Sequence, residues 1–120
     1  MKKAKVDKPQ EIDMFLLASL WPKETGLPTT IWIEERSDTP KDKQGPKIRV
    51  MIHPGKKDIR ETAVVTLEKP PRLIGRLDPK YFVEAKEFIE LNRKPLMDYW
   101  NHRISFPDFA RRFKKIKEKE

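Results

Sequence analysis

The chain has no cysteine and two histidines among its 120 residues. Without cysteine there is no disulfide, no thiolate nucleophile and no cysteine-based zinc site, a usage that fits a reducing cytosol. His53, His102 and the scattered carboxylates lack the ligand spacing of a recognised metal centre, so neither a metal nor a cofactor is expected. Long apolar runs are missing too. The run from Met14 to Leu20 is short, interrupted by Ser19 and preceded by Glu11 and Asp13, which argues against a signal peptide or a membrane span. The expectation is a soluble, cytoplasmic protein with no membrane partner. No nucleophile motif, phosphate motif, internal repeat or low-complexity segment stands out.

What the chain does have is charge. Lysine and arginine number 27 against 19 aspartate and glutamate, a formal net charge of +8, with 37% hydrophobic and 38% charged residues. A polyanion would be attracted, and salt would weaken the attraction. The first sixty residues carry 13 basic and 9 acidic groups and the second sixty carry 14 and 10, so the excess marks no single binding arm. The length suits one core and one domain. Residues 1–10 are Lys-rich with Pro9 and read as a disordered basic tail, 11–113 as a single α+β domain, and 114–120, KKIKEKE, as a frayed basic tail.

Within the domain, Ile12, Phe15, Leu16 and Leu20 lie at helical spacing and predict a short helix or docked segment ending before Trp21 and Pro22. Thr29 to Glu35, TTIWIEE, is rich in β-branched and aromatic residues and predicts a strand, with Ile31 and Ile33 on one face and Trp32 on the other. Lys47 to His53 alternates, Ile48, Val50 and Ile52 against Lys47, Arg49, Met51 and His53, and Thr62 to Leu67 alternates likewise. Short polar connections make these three strands an antiparallel meander. A short extended edge over Arg72 to Leu77 is the one further piece of sheet the pattern allows, held to a margin by Pro70 and Pro71.

Asp78 followed by Pro79 reads as an N-cap with proline in the first turn, and Phe82, Ala85, Phe88 or Ile89, Asn92 and Leu96 recur on one helix face. Pro95 removes a backbone hydrogen bond and crowds the carbonyl four residues earlier, so a kink or break is expected near Asn92. Ser105 and Asp108 form a capping box with Asp in place of the usual Glu or Gln, opening a short last helix with Phe109 and Phe113 on its apolar edge. The predicted architecture is therefore α+β: a small three-stranded antiparallel sheet against a long kinked helix and a short C-terminal helix.

The segments Ile31-Trp32-Ile33, Ile48-Arg49-Val50, Gly75-Arg76-Leu77, Phe88 to Asn92, Tyr99-Trp100 and Ile104-Ser105, in this order, resemble a group of small bacterial proteins of unknown function. Members are often encoded beside a small partner in a toxin–antitoxin-like arrangement. The resemblance implies this fold and a bacterial context, without a reaction. The histidine-rich strand of many such proteins is replaced here by Lys47 to Met51, with His53 nearby.

Three functions follow as expectations. The first is a non-enzymatic binding module that contacts nucleic acid, a partner protein or both through a basic sheet face. Lys47, Arg49 and His53 would lie along the phosphates and Trp32 would stack on bases. The plainer reading of the same residues is a solvated face with Trp32 partly buried under the N-terminal segment. The second is an RNA-cleaving toxin in which His53 and His102 act as acid and base beside Arg103. The third is a protein-binding antitoxin or adaptor, with self-association or partner docking through Met14, Phe15, Leu16, Leu20 and Trp21.

Overall fold

The computed structural model describes residues 17–36, 45–55 and 58–116. Five antiparallel strands, β1 (Leu17–Leu20), β2 (Ile31–Glu34), β3 (Lys47–Met51), β4 (Thr62–Thr66) and β5 (Leu73–Ile74), form one sheet in sequence order. A single-turn helix α1 (Pro22–Thr25) joins β1 to β2, and α2 (Pro79–Trp100) and α3 (Phe106–Arg112) follow the sheet. The expected α+β class, the long kinked helix and the short last helix are present, but the sheet has five strands rather than three.

The two additional strands have different origins. β5 is the short edge after Pro70 and Pro71, pairing Leu73 with Val65. β1 forms over Leu17–Leu20, the described end of the segment read as a short helix or docked piece: Ala18 and Leu20 stand opposite Ile33 and Ile31 and join the core. Leu16 and Leu20 are one helical turn apart, but Ala18 and Leu20 also satisfy a period of two, and pairing with β2 selects the second pattern.

One sheet face is apolar because the alternation places it so. Ile31 opposes Val50, Ile33 opposes Ile48, and Ile48 opposes Val65, all of them buried. Each such side chain is worth roughly 1.5–3 kcal/mol when taken fully out of water. Phe88, Ile89 and Leu96 of α2 and Phe109 of α3 complete the core. α2 begins where Asp78 accepts a hydrogen bond from the Lys80 amide at 2.9 Å. It breaks at Asn92, whose φ of −120° and ψ of 22° interrupt the helix three residues before Pro95. Ser105 and Asp108 cap α3 reciprocally, at 3.3 and 3.4 Å. Phe109 and Phe113 then stack at 5.2 Å, with Phe88 edge-on to Phe113.

The break at Asn92 has a structural use. The Asn92 amide donates to the carbonyls of Phe88 and Lys114, at 3.1 and 2.9 Å, and its oxygen accepts from the Lys114 amide at 2.6 Å. Two residues on, the Ile116 amide donates to the Thr25 carbonyl at 2.9 Å, and the Ile116 side chain is buried. Lys114 to Ile116 is therefore docked chain, where a frayed tail was expected. Gly26 makes room for it: at φ 84° a Cβ there would lie 2.7 Å from the Ile116 carbonyl oxygen. On the other side of α2, Arg93 donates to the carbonyls of Leu67 and Glu68 at 3.1 and 2.7 Å and pins the helix to the end of β4.

The tail over 1–10, the apolar residues Met14, Phe15 and Leu16, and most of the Ser37 to Pro46 connection lie outside the described residues. No described helix is long and apolar enough to cross a membrane.

Candidate functional site

The sheet face expected to be basic and solvated is mostly neither. The Lys47 side chain is 2% exposed and that of Arg49 12%, and Trp32, Met51, Val64 and Thr66 on the same face are buried. Glu34 holds both cations, at 3.6 Å from Lys47 and 3.5 Å from Arg49, and the Lys47 ammonium lies 5.1 Å from the centre of the Trp100 ring. Alternation assigns a residue to a face; it does not say that solvent reaches that face. Here Trp100, at the end of α2, is set against Lys47. Of the four residues proposed to touch nucleic acid, His53 alone is exposed, 3.9 Å from Glu61 near the start of β4. Leu20, expected in a docking patch, belongs to the core, while Trp21 is half exposed.

The two histidines are not brought together. His53 follows the end of β3, whereas His102 contacts Glu35 and Arg36, just past the end of β2 that pairs with the start of β3. The four steps from Lys47 to Met51, at about 3.3 Å each, separate the two ends by more than 10 Å. Acid–base partners on one phosphate must each reach it at about 3 Å, and here the two rings are turned to different partners, His102 to the Arg36 carbonyl and His53 to Glu61.

His102 is engaged locally instead. Its φ of 64° places it in the left-handed position that ends α2. The amides of His102 and Arg103 donate to the carbonyls of Tyr99 and Asp98, at 3.1 and 2.8 Å, the two bonds of a Schellman motif. One ring nitrogen, Nε2, lies 2.7 Å from the Arg36 carbonyl and must donate to it, since a carbonyl only accepts. The other, Nδ1, faces Glu35 at 3.6 Å. The Arg36 amide in turn donates to the Trp100 carbonyl at 2.8 Å, so backbone and side chain together clasp α2 to β2. Burial, reinforced by the charge and hydrogen bond of Glu35, pushes the Tyr99 phenol up to about 12. With Nε2 on the Arg36 carbonyl and Nδ1 turned towards Glu35, the His102 ring ties the end of α2 to the chain that follows β2.

Beyond the Asn92 break, Asp98 gathers three cations. Its side chain is 8% exposed, and Lys94, Arg103 and Arg112 approach it at 3.2, 3.2 and 3.0 Å. Lys94 lies one turn earlier on α2, Arg103 closes the Schellman motif and Arg112 is on α3, so the cluster forms only when α3 docks. Burial works to raise the Asp98 pKa, but the hydrogen bonds from Arg112, Lys94 and Arg103 outweigh it and hold the carboxyl below its ordinary value. Three positive groups around one negative group leave a local excess of two charges. The cations form the outer layer: their side chains are 78%, 63% and 38% exposed for Lys94, Arg103 and Arg112. Arg103 gives Asp98 a single donor, as does Arg112, and among the described residues no other acceptor takes their remaining guanidinium donors.

This cluster was not singled out from the sequence. The Lys94–Asp98 spacing of four was readable as a helix pair, but Arg112 enters from fourteen positions away. A second feature is an open groove lined by Glu87, Leu91, Lys114, Lys115 and Ile116. Among the described residues no group of three or more His, Cys, Asp or Glu is placed to hold a metal. Comparison with protein families, curated proteins and solved structures finds no match to this chain.

Proposed function

We propose that this protein is a non-enzymatic binding module that grips nucleic acid at the corner where α2 meets α3, through Lys94, Arg103 and Arg112. The observation that carries the reading is the convergence of three solvent-reaching cations on one nearly buried carboxylate. Asp98 orients the cationic heads before a ligand arrives, which lowers the entropic cost of binding, and the uncompensated charge faces solvent. The overall charge of +8 adds long-range attraction for a polyanion. The His102 clasp contributes by fixing the chain immediately before Arg103.

Fluorescence anisotropy with a labelled oligonucleotide tests this. Affinity should fall steeply as salt rises, and the double variant Arg103→Gln with Arg112→Gln should lower both the affinity and the steepness, by about two in the slope of log K against log salt. Absence of binding at low salt, or binding unchanged in the double variant, would remove the reading. RNA incubated with the protein, with or without divalent metal, should remain intact.

A further inference from the structure

We infer that the Asp98 cluster selects a terminal phosphate, a phosphomonoester at the end of an oligonucleotide, over the internal phosphodiesters of the same strand. The inference rests on the binding reading above and adds the chemistry of the group recognised.

Shape is the first argument. Lys94 and Arg112 both approach Oδ2 of Asp98, at 3.2 and 3.0 Å, while Arg103 and Lys94 approach Oδ1 at 3.2 and 3.5 Å. The three heads are thus gathered around a single small anion instead of being spaced along a groove as a row of backbone phosphates would require. A group with three acceptor oxygens on one phosphorus can meet all three heads at once. A diester within a strand offers two free oxygens and must bring its chain on both sides.

Charge is the second. The excess of two positive charges matches a phosphomonoester, which carries about −1.5 to −2 at neutral pH with a second pKa near 6, better than a diester at −1. The unused donors on two guanidiniums suit the forked geometry of phosphate recognition. Because the Asp98 carboxylate is nearly buried and already hydrogen-bonded, an incoming anion meets N–H groups and not the carboxylate.

The neighbouring ionisable groups bear on the test. Glu35 and His102 sit beside the cap that precedes Arg103, and Asp108 pairs with Arg111 on α3. A change in their charge would act on any anion at this corner, so the informative quantity is the ratio of two affinities measured at the same pH.

The experiment compares one labelled oligonucleotide sequence bearing a 5′-phosphate, a 3′-phosphate or hydroxyls at both ends, bound to the full chain at fixed salt. At pH 7.5 a phosphorylated end should bind about tenfold more tightly than the hydroxyl-ended strand, and the ratio should shrink towards one at pH 5, where the second proton is retained. Arg112→Gln should bring the ratio close to one; Lys94→Gln, at the most exposed of the three positions, should do the same and covers the case in which Arg112→Gln fails to fold. Salt-dependent binding with a ratio of one in the unmodified protein would overturn this inference while leaving nucleic-acid binding in place. Failure of all three strands to bind would overturn both.

Discussion

His102 occupies a backbone conformation usually given to glycine, a position whose strain costs of order 1 kcal/mol, yet its ring reaches two residues just past β2. Nothing local in the sequence announces this, because a histidine after a helix end is ordinarily just solvated. Arg49 makes the same point from the sheet. Strict alternation assigns it to solvent, and on that reading Arg49→Asp costs about 1 kcal/mol or less. In the folded protein its side chain is 12% exposed and its guanidinium lies beside Glu34, so an aspartate there would place two carboxylates together in a nearly dry position. Arg49→Asp should therefore destabilise by about 3 kcal/mol, comparable to Val50→Asp on the core face. Thermal melts of the two variants check this: a large loss for Val50→Asp with almost none for Arg49→Asp would mean that the second face is open to water.

At the scale of elements, legibility followed the range of the signal. Asp78-Pro79, the Ser105–Asp108 box and the alternation in β3 and β4 are complete within a few residues, and each of those elements forms where its own signal lies. Pro95 likewise announces the break at Asn92 through backbone chemistry alone. β1 was hidden because four residues, Leu17 to Leu20, fit either period and only β2 decides between them. The docking of Lys114 to Ile116 was hidden for a related reason: three lysine-rich residues look solvated until Asn92 and Thr25 supply partners. Asn92→Ala should strip the Lys114 backbone of both partners in a mostly dry setting and cost about 2–4 kcal/mol. Native-state hydrogen exchange distinguishes local from global loss. The amides of Lys114 and Ile116 should exchange much faster than the overall loss of stability explains, while those of β3 and β4 slow or speed only with global stability. Uniform acceleration across all of these amides would show that the segment is not held through Asn92.

The described residues form a sheet covered by helices on its core face and largely dry on its second face, with three cations meeting at the α2–α3 corner. Composition showed an excess of charge, equal in the two halves of the chain, but not the Asp98 cluster, whose three cations meet only where α2 and α3 do. That corner also makes stability depend on acid. Asp98 titrates below its ordinary value in the folded protein, so its ionised form is favoured by folding. The unfolded chain binds a proton there first, near pH 4; the stabilisation is complete above that pH and is lost as pH falls through the lower folded value. Asp98→Asn keeps the shape and removes the charge, and should cost about 2 kcal/mol at pH 7 through weakened hydrogen bonds to Lys94, Arg103 and Arg112. The difference in melting temperature between the original protein and Asp98→Asn should then narrow steadily as pH falls below about 4, because acid neutralises Asp98 in one and finds nothing to neutralise in the other. A difference that stays constant over this range would show that the three cations gain nothing from the charge on Asp98.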